Sequence, residues 1–207
     1  MNCDVPCWWG AIPGTTSLNE VKYTVSPYNF DMFEFVDGQL TILRLGVGYI
    51  EENNDFEIRI GYRFFNSILT TVLAYSPPIP ELLAKYGPPN EIWFSAMNDP
   101  RQWPPLVWFT IIYLEKGIGV GYVVDGAIQG SIVIGCVANA DTERLRRLRL
   151  VIPNSATSYK DFPGTFDEER FYLPLEEATG LTVADFMQRF SDPTQPQCIE
   201  TPTDLWD

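Results

Sequence analysis

Phe30-Asp31-Met32-Phe33-Glu34-Phe35-Val36-Asp37-Gly38-Gln39-Leu40-Thr41-Ile42-Leu43-Arg44-Leu45 carries two apolar runs on either side of an Asp-Gly pair, and its reading decides the fold. Asp-Gly supplies the positive φ angles of a tight hairpin turn, so residues 30–36 and 39–50 are predicted as paired antiparallel strands. Glu51-Glu52-Asn53-Asn54-Asp55 then turns the chain into residues 56–65. There Phe56, Ile58, Ile60, Tyr62 and Phe64 alternate with Glu57, Arg59, Gly61 and Arg63, a pattern of one buried and one wet face. Asn66-Ser67 leads into residues 68–75, completing a four-stranded antiparallel meander.

Outward from this meander, three segments read as helices ended by proline. In residues 16–27, Thr16 or Ser17 caps and Leu18, Val21 and Val25 share a face. Residues 79–89 carry a proline in the first turn and Gly87-Pro88 as the stop; residues 182–193 form the third. After the second helix the grammar repeats. Strands are predicted at 91–97, 106–114, 118–124 and 128–137, with turns at Glu115-Lys116-Gly117 and Asp125-Gly126. Residues 141–147 read as a short helical turn before a strand at 148–152, and 153–164 as a polar loop. The expected fold class is α+β: two repeated helix plus four-stranded antiparallel sheet units with a C-terminal helix and tail. The expected organisation is one compact body with sub-units 7–75, 76–152 and 153–207.

The 207 residues suit one well-cored body, and 45% hydrophobic with 14% aromatic residues excludes a disordered chain. With 14 Lys+Arg against 27 Asp+Glu the net charge is −13, which repels phosphate backbones, so no nucleic acid partner is expected. The absence of histidine removes Ser-His-Asp and Cys-His catalysis and histidine-ligated metals. No stretch reaches the roughly 18 apolar residues of a membrane span. The start, Met1 to Gly10, reads as a mature segment behind an added initiator methionine, with the targeting signal trimmed away. Cys3, Cys7, Cys136 and Cys198 are disulfide candidates tying the tails to the body in an oxidising compartment, with buried free thiols as the competing reading. The expectation is that Cys7 and Cys198 are bridged to each other or to Cys136; were Cys3 the first mature residue, it would carry a lipid anchor. The C-x3-C spacing of Cys3 and Cys7 is not that of zinc motifs, and neither metal nor cofactor is expected.

Cys7-Trp8-Trp9-Gly10-Ala11-Ile12-Pro13-Gly14 and Tyr86-Gly87-Pro88-Pro89-Asn90-Glu91 resemble motifs of a family of bacterial secreted proteins and lipoproteins of unassigned activity, with one alanine inserted in the first. The helix starts also resemble those of tandem β-lactamase-inhibitor-protein-like and outer-membrane-assembly-lipoprotein-like modules. The resemblance covers residues 7–152. It implies helices packed on antiparallel sheets and a role in gripping other proteins. The matching positions are caps and turns, so no binding residue carries over.

Other constellations have competing readings. Gly117-Ile118-Gly119-Val120-Gly121 continues as a strand where a phosphate loop must open a helix, so its glycines read as hairpin glycines. Residues 51–55 are acidic enough for calcium but lack the EF-hand ligand spacing, which favours a solvated loop. Arg144, Arg146, Arg147 and Arg149 form either an anion or acidic-partner contact or the internal counter-charge of nearby carboxylates. Arg101 and Trp103 sit in a proline-stiffened connection, where Trp103 either projects as a binding anchor or folds back as a lid. Trp8, Trp9 and Trp206 read as core plugs. The expected function is non-catalytic binding of another protein or a cell-surface polymer, in the envelope or outside the cell, at Trp103, Arg101 and the arginine cluster. The alternatives are a carboxylate-based carbohydrate-active domain and a structural surface-layer component.

Overall fold

The computed structural model describes residues 9–28, 30–50, 55–74, 77–97, 104–136, 143–158, 162, 171–192 and 197–206, without the side chains of 47–50, 55–59, 97 and 143–147. In chain order the elements are α1 (Leu18–Val25), β1 (Asp31–Asp37), β2 (Leu40–Ile50), β3 (Asp55–Phe65), β4 (Ile68–Ala74), α2 (Ile79–Tyr86), β5 (Glu91–Met97), β6 (Leu106–Tyr113), β7 (Ile118–Gln129), β8 (Ile132–Cys136), β9 (Glu143–Val151), β10 (Leu173–Pro174), α3 (Leu175–Thr179), α4 (Val183–Phe190) and β11 (Cys198–Pro202), before a 3-10 turn at Thr203–Leu205. The fold is α+β: two helix-plus-antiparallel-sheet units followed by C-terminal helices and a short tail. The first compact unit contains Met1–Tyr75, Leu114–Ile118 and Leu148–Phe162, and the second Ser76–Tyr113, Gly119–Arg147 and Pro163–Asp207.

In the first unit α1 starts at Ser17, whose hydroxyl accepts the Glu20 N–H at 3.3 Å while the Glu20 carboxylate accepts the Ser17 N–H at 2.8 Å. The sheet order is β1-β2-β3-β4, with the end of β9 paired antiparallel to β4 through Thr71↔Val151 to Ala74↔Leu148. Gly38, at φ +57°, makes the β1–β2 turn, and Asn66 and Ser67, at φ 50° and 63°, make the β3–β4 turn. Alternation puts Leu43, Leu45, Ile60, Tyr62, Phe64, Leu69, Val72, Leu148 and Leu150 in the core with Val21 and Val25. Glu34 lies opposite Leu43 in the register and is ion-paired with Lys22, so α1 covers this inner face. Each fully buried aliphatic or aromatic side chain contributes about 1.5–3 kcal/mol relative to exposure.

In the second unit the strands run β7-β6-β5-β10, and β8 pairs both β7 and β11. Every residue of β6 except Trp108 is buried, the signature of a strand covered on both faces. Phe109 stacks on Tyr122 at 5.3 Å and meets Phe190 of α4 at 6.3 Å, while Phe186 and Phe190 stack at 4.2 Å. Helix α2 buries Ile79, Leu82 and Leu83.

Three local expectations are corrected. Asp125-Gly126 is not a turn: β7 runs on to Gln129, and the chain reverses at Gly130-Ser131, where Gly130 has φ +62°. The Gly126 N–H is bonded to the Pro105 carbonyl at 2.6 Å, so pairing across the sheet overrides local turn chemistry. Residues 143–147 are strand and not a helical turn, because they open β9. The segment expected as an irregular tail holds β11, which pairs with β8 and sets Cys198 directly opposite Cys136. These two cysteines form a disulfide closing 62 residues, which selects Cys136 as the partner of Cys198. Cys3 and Cys7 lie outside the described residues, as do residues 51–54. Trp9 packs near Tyr28 and Phe30, and Trp206 packs beside Phe94 with its Nε1 donating to the Thr201 hydroxyl at 3.0 Å.

Candidate functional site

Directly paired residues of antiparallel strands project to the same side of a sheet, so the register of the first unit can be read as rows across its outer face, opposite α1. One row is Phe33–Arg44–Gly61–Leu73–Arg149, running over β1, β2, β3, β4 and β9. The next is Phe35–Ile42–Arg63–Thr71–Val151. Leu40, Phe65 and Ile68 form the row beyond.

Where Gly61 supplies no side chain, the face dips into a hollow of about 170 Å3 lined by Ile42, Arg44, Gly61, Arg63, Thr71, Leu73 and Arg149, with Tyr62 at its floor. Arg149 is only 3% exposed, whereas Arg44 and Arg63 reach solvent. Among the described residues the guanidinium groups of Arg44 and Arg63 make neither a hydrogen bond nor an ion pair. Around this basic hollow stand large apolar side chains left in water: Phe33 at 42% exposure, Phe35 at 60%, Phe65 at 50% and Ile68 at 39%. All seven residues of β1 are exposed, and among the described residues no strand pairs with its outer edge. On the inner side the Tyr62 hydroxyl is buried with no hydrogen-bond partner among the described residues, and burial pushes its pKa well above the usual tyrosine value.

Of the residues singled out in the sequence, Arg149 lines the hollow. Arg144, Arg146 and Arg147 belong to β9, but their side chains lie outside the description, and Arg101 and Trp103 lie outside the described residues altogether. Arg44 and Arg63 escaped sequence reasoning. Arg63 appears there as one wet position on an alternating strand and Arg44 inside a predicted strand, and only the β2–β3 register, Arg44↔Gly61 and Ile42↔Arg63, sets them around the same glycine. The glycine itself, interrupting an aromatic strand, was the available signal.

A second, polar depression lies in the other unit, lined by Leu181, Asp185, Gln188, Arg189, Asp192, Cys198 and Glu200. Thr182 caps α4 and Asp185 completes its capping box, accepting from the Thr182 hydroxyl at 2.6 Å and N–H at 3.0 Å; these bonds hold the Asp185 carboxyl below the usual carboxylate range. A carboxylate held ionised in this way is a poor general acid. Arg189 donates to the Cys198 carbonyl at 3.1 Å and so braces β11. Among the described residues no helix is long and apolar enough to cross a membrane. No protein-family model, no curated protein and no solved structure matches this chain.

Proposed function

We propose that this chain is a non-catalytic binding module that acts in the cell envelope or outside the cell and takes a partner protein on the outer face of its first sheet. The observation that carries the reading is the group of four large apolar side chains, Phe33, Phe35, Phe65 and Ile68, held in water on one face of a rigid sheet. Burying them against a partner gains about 25 cal/mol per Å2 of apolar surface, and aromatic side chains on such a face act as binding anchors. Among the described residues no strand pairs with the outer edge of β1, and an open strand edge is a place where an incoming strand can add. The Cys136–Cys198 disulfide supports an oxidising location.

The test is capture with the oxidised protein as bait in the envelope and culture supernatant of its source. A saturable protein partner, lost with Phe35→Ser and Phe65→Ser together and retained with the control Glu176→Gln in the second unit, supports the reading. Retention of the partner by the double variant sinks it.

Self-assembly into a surface layer through β1 is a second reading, favoured by the same open edge. In a fully overlapping antiparallel pair of β1 strands, Glu34 faces Glu34 and Asp31 faces Asp37, an arrangement that like charges disfavour. Oligomers growing with protein concentration and dissolving on Phe35→Lys would establish it.

A further inference from the structure

We infer that the hollow around Gly61 is a carboxylate receptor: it holds the acidic side chain of the partner segment that lies on this face, and in doing so it fixes that segment's register. The inference rests on the protein-binding reading above and adds the chemistry of recognition.

Two independent observations carry it. The first is electrostatic. Arg44 and Arg63 reach into the hollow from neighbouring strands with no partner among the described residues, in a chain where acids outnumber bases by 27 to 14. A guanidinium presents a planar fork of N–H donors that matches the two oxygens of a carboxylate, and two of them on adjacent strands can clasp one such group from both sides. Arg149 lines the same hollow, shielded from water.

The second observation is Gly61 itself. Glycine in a strand interior weakens the strand, and it is normally retained for a positive φ angle or a close backbone approach. Neither applies here: Gly61 is absent from the positive-φ positions, and a Cβ built on it would meet Leu73 Cβ at 3.6 Å, an ordinary van der Waals contact. What a side chain would do is fill the space between Arg44 and Leu73. The glycine keeps the hollow open at the expense of strand stability, which is how a binding site and not a packing site is built.

The surroundings specify the ligand further. Ile42 and Leu73 line the hollow and the phenylalanines flank it, so the carboxylate arrives on an apolar segment. A polyanion is disfavoured, because the net charge of −13 repels it at long range.

The experiment uses the full chain and a pair of blocked nine-residue peptides of alternating Val and Thr, one with a central Asp and its twin with Asn, titrated by amide chemical-shift mapping. The expected result is saturable binding of the Asp peptide with shifts over β1 to β4, at least about tenfold weaker binding of the Asn twin, and a similar loss in Arg44→Gln/Arg63→Gln. Gly61→Val is expected to raise the melting temperature while lowering affinity for the Asp peptide, which separates a filled site from a misfolded one. Equal affinity for the two peptides overturns the carboxylate receptor and leaves the protein-binding face standing. Binding of inorganic phosphate with neither peptide bound overturns both and marks a free-anion site. Unchanged Asp-peptide affinity in Gly61→Val, in a folded protein, also overturns the inference.

Discussion

Strands β1 and β6 both carry large apolar side chains and meet opposite fates. Leu-Val-Trp-Phe-Thr-Ile-Ile-Tyr in β6 is buried on both faces, whereas Asp-Met-Phe-Glu-Phe-Val-Asp in β1 is exposed at every residue. The difference lies in position: β6 runs between two hydrogen-bonded neighbours in the second unit, and β1 ends the sheet of the first. A continuous apolar run signals a strand enclosed on both sides, while an apolar run punctuated by Asp31, Glu34 and Asp37 signals an edge kept soluble by charge. Strand β6 thus places its aromatic residues Phe109 and Tyr113 in the core of its own unit. The first unit leaves Phe33, Phe35 and Phe65 in water.

The contrast is sharpest if one residue type is truncated in both places. Phe109→Ala, which removes a ring fully buried between Tyr122 and Phe190, is expected to destabilise by about 3–5 kcal/mol in denaturant melts, and Phe35→Ala to change stability by no more than about 0.5 kcal/mol. Similar losses at the two sites would break the comparison. Reduction of the Cys136–Cys198 bond releases a loop of 62 residues and is expected to lower stability by about 2–5 kcal/mol, with amide exchange rising first in β8 and β11.

Glycines divide the two regions in the same sense. At Gly135 a Cβ would stand 2.8 Å from the Cβ of Val107, so Gly135→Ala is expected to destabilise by about 1–3 kcal/mol. At Gly61 the space is there, and Gly61→Ala is expected to stabilise by about 0.5–1 kcal/mol. Thermal melts of the two variants moving in the same direction would remove the argument for an open hollow.

The smallest effect is pH dependence at two exposed helix caps. Hydrogen bonds from Ser17 and Thr182 hold the Glu20 and Asp185 carboxyls below their ordinary pKa, one cap in each unit. A carboxyl whose pKa falls on folding contributes stability that is complete above its unfolded pKa and is lost as pH drops through the folded one. Acid titration of Glu20→Gln is expected to lack its share of that loss, with an unchanged slope at neutral pH.

Much of this architecture was legible in local chemistry. Asp37-Gly38 marked its hairpin, the Thr16-Ser17 pair the start of α1, and Gly87-Pro88 the end of α2. Where legibility failed, a tertiary contact outweighed a local preference. Asp125-Gly126 carries turn chemistry, yet it stays in β7, where the Gly126 N–H finds the Pro105 carbonyl. Residues 198–202 lack an alternating apolar pattern long enough to announce a strand, and they become one by pairing with β8 and bridging Cys136. At the site, Arg149 could be suspected from charge density alone, while Arg44 and Arg63 could not.

The amino-acid sequence by itself determined the α+β class, the caps and turns that punctuate it, and which side of each alternating strand is apolar, because these depend on interactions among residues a few positions apart. Only the tertiary structure decided the register that ranges Arg44, Gly61, Leu73 and Arg149 in one row, since that row joins residues far apart in the chain. A one-residue slip of β2 against β3 would put Arg44 and Arg63 on opposite faces.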